Sequence, residues 1–148
     1  MLVCRSLDEL PSINKSVLTV GNFDGVHLGH LEILKKVKNL SIKSGVKSSV
    51  ITFDPHPIVF FNKSEQKKQF LLTDIDQKID LLSKCGIDYL LILNFDEKIS
   101  SMSKNSFLTS IIINYFKPRD IVIGYNHKFG MLRSGDFNYL QKMSKKYN

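Results

Sequence analysis

The sequence predicts an α/β fold in which a doubly wound parallel sheet carries helices on both of its faces. Four short apolar runs alternate along the chain with amphipathic helical patterns, and this alternation is typical of strand–helix–strand units. The 148 residues are enough for one domain with its own core, and no linker, internal repeat or low-complexity segment divides them.

The first half of the chain contains two predicted strands around one long helix. The run Val17-Leu18-Thr19-Val20 is short, apolar and partly β-branched, and Gly21 ends it. Apolar residues then recur every three positions and predict an amphipathic helix that Gly45 can cap: Leu28, Leu31, Leu34, Val37 and Leu40. Residues 49–53 predict the second strand, which the prolines of Asp54-Pro55-His56-Pro57 stop.

The second half contains two more strands and three more helices. Residues 62–69 are polar throughout and predict a mobile loop, after which Thr73 opens a helix with Asp74 and Asp76 in its first turn. One stripe of that helix carries Ile75, Ile79, Leu82 and Cys85, and Gly86 closes it. Residues 89–93 and 120–124 predict the last two strands. A helix from Ser103, carrying Phe107, Ile111 and Tyr115, lies between them, and a basic helix from Phe137 to Tyr147 follows.

Three of the four predicted strands end in unusual sequences. These are Gly21-Asn22-Phe23-Asp24-Gly25, Asp54-Pro55-His56-Pro57 and Gly124-Tyr125-Asn126-His127. Ligands of doubly wound sheets bind beyond the carboxyl ends of the strands, where these three sequences meet. Their convergence predicts an active site at that edge.

The turn that contains His27-Leu28-Gly29-His30 predicts phosphate handling. Its two imidazoles lie three residues apart at the start of a helix and project to the same side. The amino end of a helix favours phosphate, and Gly29 lets a ligand approach the backbone. Two imidazoles there suit the charge that develops on a phosphoryl group in direct in-line transfer. The same pair also fits two simpler interpretations, a partial zinc site or an ordinary helix start.

Composition narrows the class of partner. The net charge is +7, with 18 Lys and 3 Arg, but the Lys are scattered and form no run, so a solvated surface is favoured over a nucleic-acid site. Such a charge still helps to attract a polyanionic small molecule. No apolar run reaches membrane-spanning length, and the first residues do not resemble a signal peptide. Cys4 and Cys85 make no metal or redox spacing, which fits a reduced, cytoplasmic setting.

The turn from Gly21 to His30 resembles the signature of the amino-terminal module of bacterial bifunctional riboflavin kinase/FAD synthetases. The block Thr52-Phe53-Asp54-Pro55-His56-Pro57 and the middle segment around Leu72-Thr73, Lys78 and Asp88-Tyr89-Leu90 are similar to that family too. So is a fourth block, Ile123-Gly124-Tyr125-Asn126-His127-Lys128-Phe129-Gly130 with Arg133, Gly135 and Asp136. The likeness extends from about Ser6 to Tyr147 with its blocks in order.

This resemblance implies a Rossmann-like fold and the reaction FMN + ATP → FAD + pyrophosphate with Mg²⁺. It implies that His27 and His30 are catalytic and bind the ATP phosphates. The ATP pocket would be lined by Gly21, Asn22, Phe23, Asp24, Gly25 and Gly29. The FMN site would be formed by Pro55, Pro57, Phe61, Asn126, Phe129 and Arg133. Each of these has a simpler role as well: the prolines as strand ends, Phe61 and Phe129 as core, Asn126 as a turn residue and Arg133 as a loop cation.

Two departures from the family bear on activity. His127 stands where the family usually has an aromatic residue. The family also continues with an Ile-Ser-Ser-Thr-x-x-Arg segment that grips ATP and then with a β-barrel kinase domain. We therefore expect residues 1–148 to be an FMN adenylyltransferase domain truncated at its carboxyl end, without riboflavin kinase activity and with weakened adenylyl transfer. The alternatives are a related nucleotidyltransferase with another phosphorylated acceptor and a non-catalytic ATP-binding remnant.

Overall fold

A five-stranded parallel sheet forms the centre of the computed structural model, which describes residues 1–62 and 71–147. The sheet has the order β1-β4-β3-β2-β5, and every neighbouring pair is parallel. The strands are β1 (Leu2–Cys4), β2 (Ser16–Val20), β3 (Lys47–Asp54), β4 (Tyr89–Asn94) and β5 (Pro118–Ile121).

Helices connect the strands. They are α1 (Leu28–Ser44), α2 (Pro57–Phe61), α3 (Ile75–Lys84), α4 (Glu97–Ser100), α5 (Lys104–Ser106) and α6 (Phe137–Tyr147). A π-helix, Phe107–Phe116, continues directly from α5, and 3-10 turns form at Leu7–Glu9, Asp24–Val26 and Met131–Arg133. Among the described residues, no helix combines the length and apolar character needed to cross a membrane.

Along each central strand, successive side chains pack alternately into two separate hydrophobic cores. Val17 and Val50 pack under α1 and α3, whereas their neighbours Leu18 and Ile51 pack under the π-helix and α6. Strands buried on both faces are typical of parallel sheets covered by two helical layers. The predicted α/β fold, a Rossmann-like doubly wound parallel sheet with helices on both faces, is confirmed.

The strand order reverses beside β2. From β2 the chain moves to β3 and then β4 on one side, and it returns to β5 on the other side of β2. The carboxyl ends of β2 and β5 therefore flank a topological switch point, the place where doubly wound sheets bind their ligands.

The predicted strands are confirmed with two changes at the sheet edges. The outer strand β1 pairs with β4 from Leu2↔Tyr89 onward and was not predicted, because a three-residue run carries little pattern. The last strand is Pro118–Ile121, so the predicted bounds 120–124 are wrong. Pro118 is tolerated at the start of an edge strand, where its missing N–H breaks no ladder.

Two helix predictions also change in detail. The helix α3 is capped by Asp74 rather than opened by Thr73, because the Asp74 carboxylate accepts from the Gln77 N–H and the Gln77 side chain bonds back to Asp74. In α1 the leucine stripe is only partly buried, since Leu28 is 81% exposed and Leu31 40% exposed. The loop predicted for residues 62–69 lies, apart from Asn62, outside the described residues.

Candidate active site

The turn between β2 and α1 is held in an unusual backbone conformation. Phe23, Gly25 and Val26 have φ values of 48°, 71° and 41°, in the left-handed region that costs energy for non-glycine residues. Burial of the Phe23 side chain, which is 1% exposed, stabilises the turn from below. The hydroxyl of Thr52 in β3 donates to the Asn22 carbonyl at 3.1 Å and ties the turn to the sheet.

A carboxylate fastens this turn to the segment that precedes α3. Asp24 accepts from the backbone N–H groups of Leu72 and Thr73, each at 3.0 Å, and from the Thr73 hydroxyl at 3.1 Å. The Thr73 hydroxyl oxygen in turn accepts from the Gly25 N–H at 3.1 Å. Burial alone would raise the pKa of Asp24, but these hydrogen bonds outweigh it and lower the pKa. The carboxylate of Asp24 is therefore engaged within the protein.

The two predicted catalytic histidines lie together at the amino end of α1. The rings of His27 and His30 stack with centroids 3.7 Å apart and planes inclined by 22°. His30 also contacts the Phe23 ring at a centroid distance of 5.1 Å, and its Nδ1 atom is buried without a hydrogen-bond partner among the described residues. Burial and the nearby charge of His27 lower the pKa of His30, so its ring is uncharged at neutral pH.

The amino end of α1 is open for an anion. His27 occupies the N-cap position, and its side chain does not cap the helix. The first N–H groups of a helix have no partner within it, so those of α1 stand beside the stacked rings. A methyl group added at Gly29 would lie 3.3 Å from the His27 ring, so the glycine lets that ring lie close to the start of the helix.

The segment after β3 presents prolines and an exposed aromatic ring at the same edge. Pro57 occupies the first turn of α2, and the Nδ1 atom of His56 accepts from the Ile58 N–H at 3.1 Å as a helix cap. Phe61 is 66% exposed and packs edge-on against the Phe95 ring with centroids 5.8 Å apart. Much of the Phe61 side chain is therefore exposed at this edge.

The segment after β5 passes close to the amino-terminal half of α1. A methyl group added at Gly124 would lie 3.2 Å from Cδ1 of Ile33, one turn beyond His30. Asn126 is exposed in a turn that the hydrogen bond from the His127 N–H to the Gly124 carbonyl closes at 3.0 Å. The ends of β2, β3 and β5 thus meet at one edge, as the sequence predicted.

The remaining predicted flavin contacts differ in accessibility. Phe129 is 7% exposed and packs in the core against Phe107 and Tyr139, which fits its simpler role as a core residue. Arg133 is exposed at the end of a 3-10 turn, where its guanidinium is free to meet an anion.

Two further residues at this edge were not predicted as site residues. Phe95 follows β4 and supports Phe61, while Lys78 in α3 is only 4% exposed and lies near Asp24 and Asp54. Lys78 occupies an inward position of the α3 stripe, one turn before the buried Leu82. A charged residue at an inward position was the signal in the sequence that pointed to it.

Metal ligands are sparse in the described part of the chain. No group of three or more His, Cys, Asp or Glu side chains is placed to hold an ion there. A cavity of about 670 Å³ lies elsewhere, between β5, the π-helix and α6, and none of the predicted site residues line it. The polar groups that suit phosphate chemistry are therefore those at the carboxyl edge.

Comparison with known proteins agrees with this geometry. The family model for FAD synthetase matches residues 10–148. A protein from Buchnera aphidicola subsp. Schizaphis graminum named bifunctional riboflavin kinase/FMN adenylyltransferase is 34% identical over 149 residues, which cover 100% of this chain and 47% of that protein. Its namesake from Escherichia coli is 33% identical over 131 residues, covering 88% and 41% respectively.

A solved structure supports the fold. The crystal structure of a macrolide-efflux protein from Streptococcus pneumoniae superposes with a TM-score of 0.80 at 20% identity, covering 95% of this chain and 46% of that one. At that identity the likeness extends to the fold alone. The chain spans about half the length of the curated relatives it matches.

Proposed function

Because the chain belongs to the FAD synthetase family, we propose that it transfers the adenylyl group of ATP to FMN, giving FAD and pyrophosphate. The observation that carries the proposal is the stacked pair of His27 and His30 at the amino end of α1, beside the switch point of the sheet. We assign this activity to residues 1–148 as an FMN adenylyltransferase domain.

The proposed chemistry is a direct in-line displacement. An oxygen of the FMN phosphate attacks the α-phosphorus of ATP, the bond from that phosphorus to the bridging oxygen breaks, and pyrophosphate leaves. Negative charge accumulates on the oxygens in transit. The imidazoles of His27 and His30 and the free N–H groups of α1 are placed to stabilise it.

The nucleotide would be held mostly by backbone. Gly21, Gly25 and Gly29 keep the turn open to the phosphates and the adenosine, and Asn22 and Phe23 shape its floor. In this proposal Asp24 acts indirectly, because its carboxylate already receives the hydrogen bonds of Leu72 and Thr73.

The flavin would lie against the segments that follow β3 and β5. Pro55, Pro57 and the exposed side chain of Phe61 offer rigid apolar contacts to a flat ring, and Asn126 can hydrogen-bond to its polar edge. Arg133 is accessible to pair with the FMN phosphate. Phe129 would support this wall from the core.

Mg²⁺ would reach the site on the triphosphate. Among the described residues there is no ready-made cluster of oxygen ligands, and Mg²⁺ commonly takes most of its ligands from phosphate and water. When bound, the ion neutralises part of the phosphate charge. A reducing, cytoplasmic setting without nucleic acid completes the proposal, and the free thiols of Cys4 and Cys85 support it.

The direct test is to incubate the purified protein with ATP, Mg²⁺ and FMN and to separate the products by chromatography. We expect FAD and pyrophosphate in equal amounts. If ATP is consumed only when another phosphorylated acceptor replaces FMN, the site belongs to a related nucleotidyltransferase. If no acceptor gives turnover, the enzymatic proposal is wrong.

Histidine variants identify the reacting end of the site. His27→Ala and His30→Ala should each lower the rate of FAD formation by at least about 100-fold while changing FMN affinity little, because they act on charge that develops in the transition state. Lys36→Ala, an exposed change on the same helix, is the matched control and should leave the rate unchanged. Equal losses of rate and FMN affinity would contradict the roles assigned here.

A further inference from the structure

Lys78 has a buried side chain, and its ammonium has no close partner among the described residues. It lies in the first half of α3, and only 4% of it is exposed. Within residues 1–62 and 71–147, its ammonium group makes neither a hydrogen bond nor an ion pair shorter than 4.0 Å. Burying an unpaired charge costs folding free energy, so such a residue lowers stability unless something else compensates it.

Lys78 lies near the proposed site because of its position in the fold. The helix α3 follows the carboxyl end of β3 and runs back along the sheet, so its first turns lie at the carboxyl edge. It packs against the 3-10 turn Asp24–Val26. The inward face that carries Lys78 continues into Leu82, which is fully buried in the core under α1. The Lys78 side chain therefore lies beside the Asp24–Val26 turn, within reach of the charges of Asp24 and Asp54.

The charges around Lys78 are of both signs. Asp24 and Asp54 are its acidic neighbours, and burial lowers the pKa of Lys78 more than these carboxylates raise it. Burial is the main cause of the lowered pKa of both His30 and His56, and the Lys78 charge adds to it. Asp24 cannot move to pair with Lys78 without releasing Leu72 and Thr73.

We propose that Lys78 is a positioning residue for the adenylyl transfer, one that offsets the carboxylates of Asp24 and Asp54 so that the edge accepts the ATP triphosphate beside His30. The inference rests on the proposed function. Two uncompensated carboxylates would repel a polyanion, and a cation near them weakens that repulsion. Lys78 thus makes the carboxyl edge more favourable for the phosphates of ATP.

The test compares neutral variants with a control on the same helix. Lys78→Met and Lys78→Gln remove the charge, and Lys78→Arg keeps it. Lys84→Met removes an exposed charge that pairs with Asp80 at 2.6 Å. For each variant the melting temperature, the ATP and FMN dissociation constants from titration calorimetry, and the nitrogen NMR titration of His30 are measured.

We expect the two neutral variants to melt at the same or a higher temperature than the unmodified chain, because an apolar side chain removes the cost of burial. Their ATP affinity should fall about tenfold, the pKa of His30 should rise, and FMN affinity should stay within about twofold. Lys78→Arg should retain ATP affinity, and Lys84→Met should change none of these quantities.

Three outcomes would overturn the inference: unchanged ATP affinity in both neutral variants, a lower melting temperature with ATP and FMN affinity falling together, or failure of both neutral variants to fold. The proposed function fails separately, if the unmodified chain binds ATP but forms no FAD. In that case the ATP affinities still decide the role of Lys78. If the unmodified chain does not bind ATP, both ideas are wrong.

Discussion

His127→Phe should stabilise the protein at pH 5. At pH 8, removing the titratable group of His127 should have no effect on stability. The His127 ring stacks on Phe129 with centroids 6.1 Å apart and planes inclined by 21°, and its Nε2 atom is buried without a partner among the described residues. Burial, helped by the charge of Arg133, lowers the pKa of His127 to about 4. The folded protein therefore holds this imidazole neutral where the unfolded chain would protonate it.

The direction and size of this stability change follow from the linkage between proton binding and folding. The ordinary pKa of histidine is about 6.5, so the stability contributed by neutral His127 is complete above that pH and is lost as the pH falls toward 4. At pH 5 the unfolded chain binds this proton almost fully and the folded protein barely does, which lowers the free energy of unfolding by about 2 kcal/mol. At pH 8 the loss is close to zero. Phenylalanine does not titrate, and it keeps an aromatic ring at this position.

Urea unfolding at pH 5 and pH 8 measures the effect. The quantity of interest is the free energy of unfolding of His127→Phe minus that of the unmodified chain, compared between the two pH values. The contributions of His30 and His56 cancel in this comparison. His127→Gln is the matched variant, because it removes the same titration but leaves a polar group in the apolar site. If neither variant gains more than about 0.5 kcal/mol at pH 5 relative to pH 8, His127 is not a buried neutral imidazole.

Three further changes test other parts of the structure. Asp24→Asn should lower the free energy of unfolding by about 1–2 kcal/mol, seen by calorimetry as a melting temperature roughly 3–8 °C lower, because it weakens charge-assisted bonds to Leu72 and Thr73. A loss of ATP affinity at unchanged melting temperature would instead make Asp24 a direct nucleotide ligand. Gly25→Ala should destabilise the chain more than Gly45→Ala does. Both residues have positive φ, but only at Gly25 would the new methyl meet Leu72, at 2.7 Å, and equal costs would show that this contact is absent. Phe61→Ala should weaken FMN binding about tenfold with less than about 1 kcal/mol of destabilisation, since its ring is 66% exposed, and unchanged FMN affinity would remove it from the flavin site.

The interior strands were predictable because their patterns are local. The strands β2, β3 and β4 each contain a short, mainly apolar run followed by a residue or turn that ends it. Each lies at its predicted place, with β3 beginning at Lys47, two residues earlier than predicted. The strand β1 depends instead on pairing with β4, nearly ninety residues away. A run of three residues is too short to predict such a pairing. The shift of β5 has a similar origin, because its register is set by β2 and includes an irregularity beside Ser16.

The exposed leucines of α1 have a geometric explanation. A step of three residues falls about 60° short of a full helical turn, so a strict three-residue repeat rotates around the helix. Leu34 and Val37, in the middle of the repeat, face the sheet, whereas Leu28 and Leu31 have rotated away from it. Ser41 completes the buried face one turn beyond Val37, and its hydroxyl is satisfied by the Lys38 carbonyl.

Some features of the candidate site could likewise be predicted from the sequence, and others could not. The meeting of the turn at His27 and His30 with the segment around Pro55 followed from parallel strands ending at one edge, and the sequence predicted it. The attachment of Asp24 to Thr73 joins residues 49 positions apart through side-chain hydrogen bonds, and no periodicity encodes it. The unpaired state of Lys78 likewise depends on what surrounds it in three dimensions.

The position of β2 between β3 and β5 has a consequence for how such a site can change over evolutionary time. The histidine turn follows directly after β2. The segments proposed to form the flavin walls follow β3 and β5, which lie on opposite sides of β2. The exposed residues of both outer segments, such as Phe61 and Asn126, can change while the buried residues that hold β2 and α1 stay in place. A protein built this way can change one proposed flavin wall at a time while keeping the histidine turn unchanged.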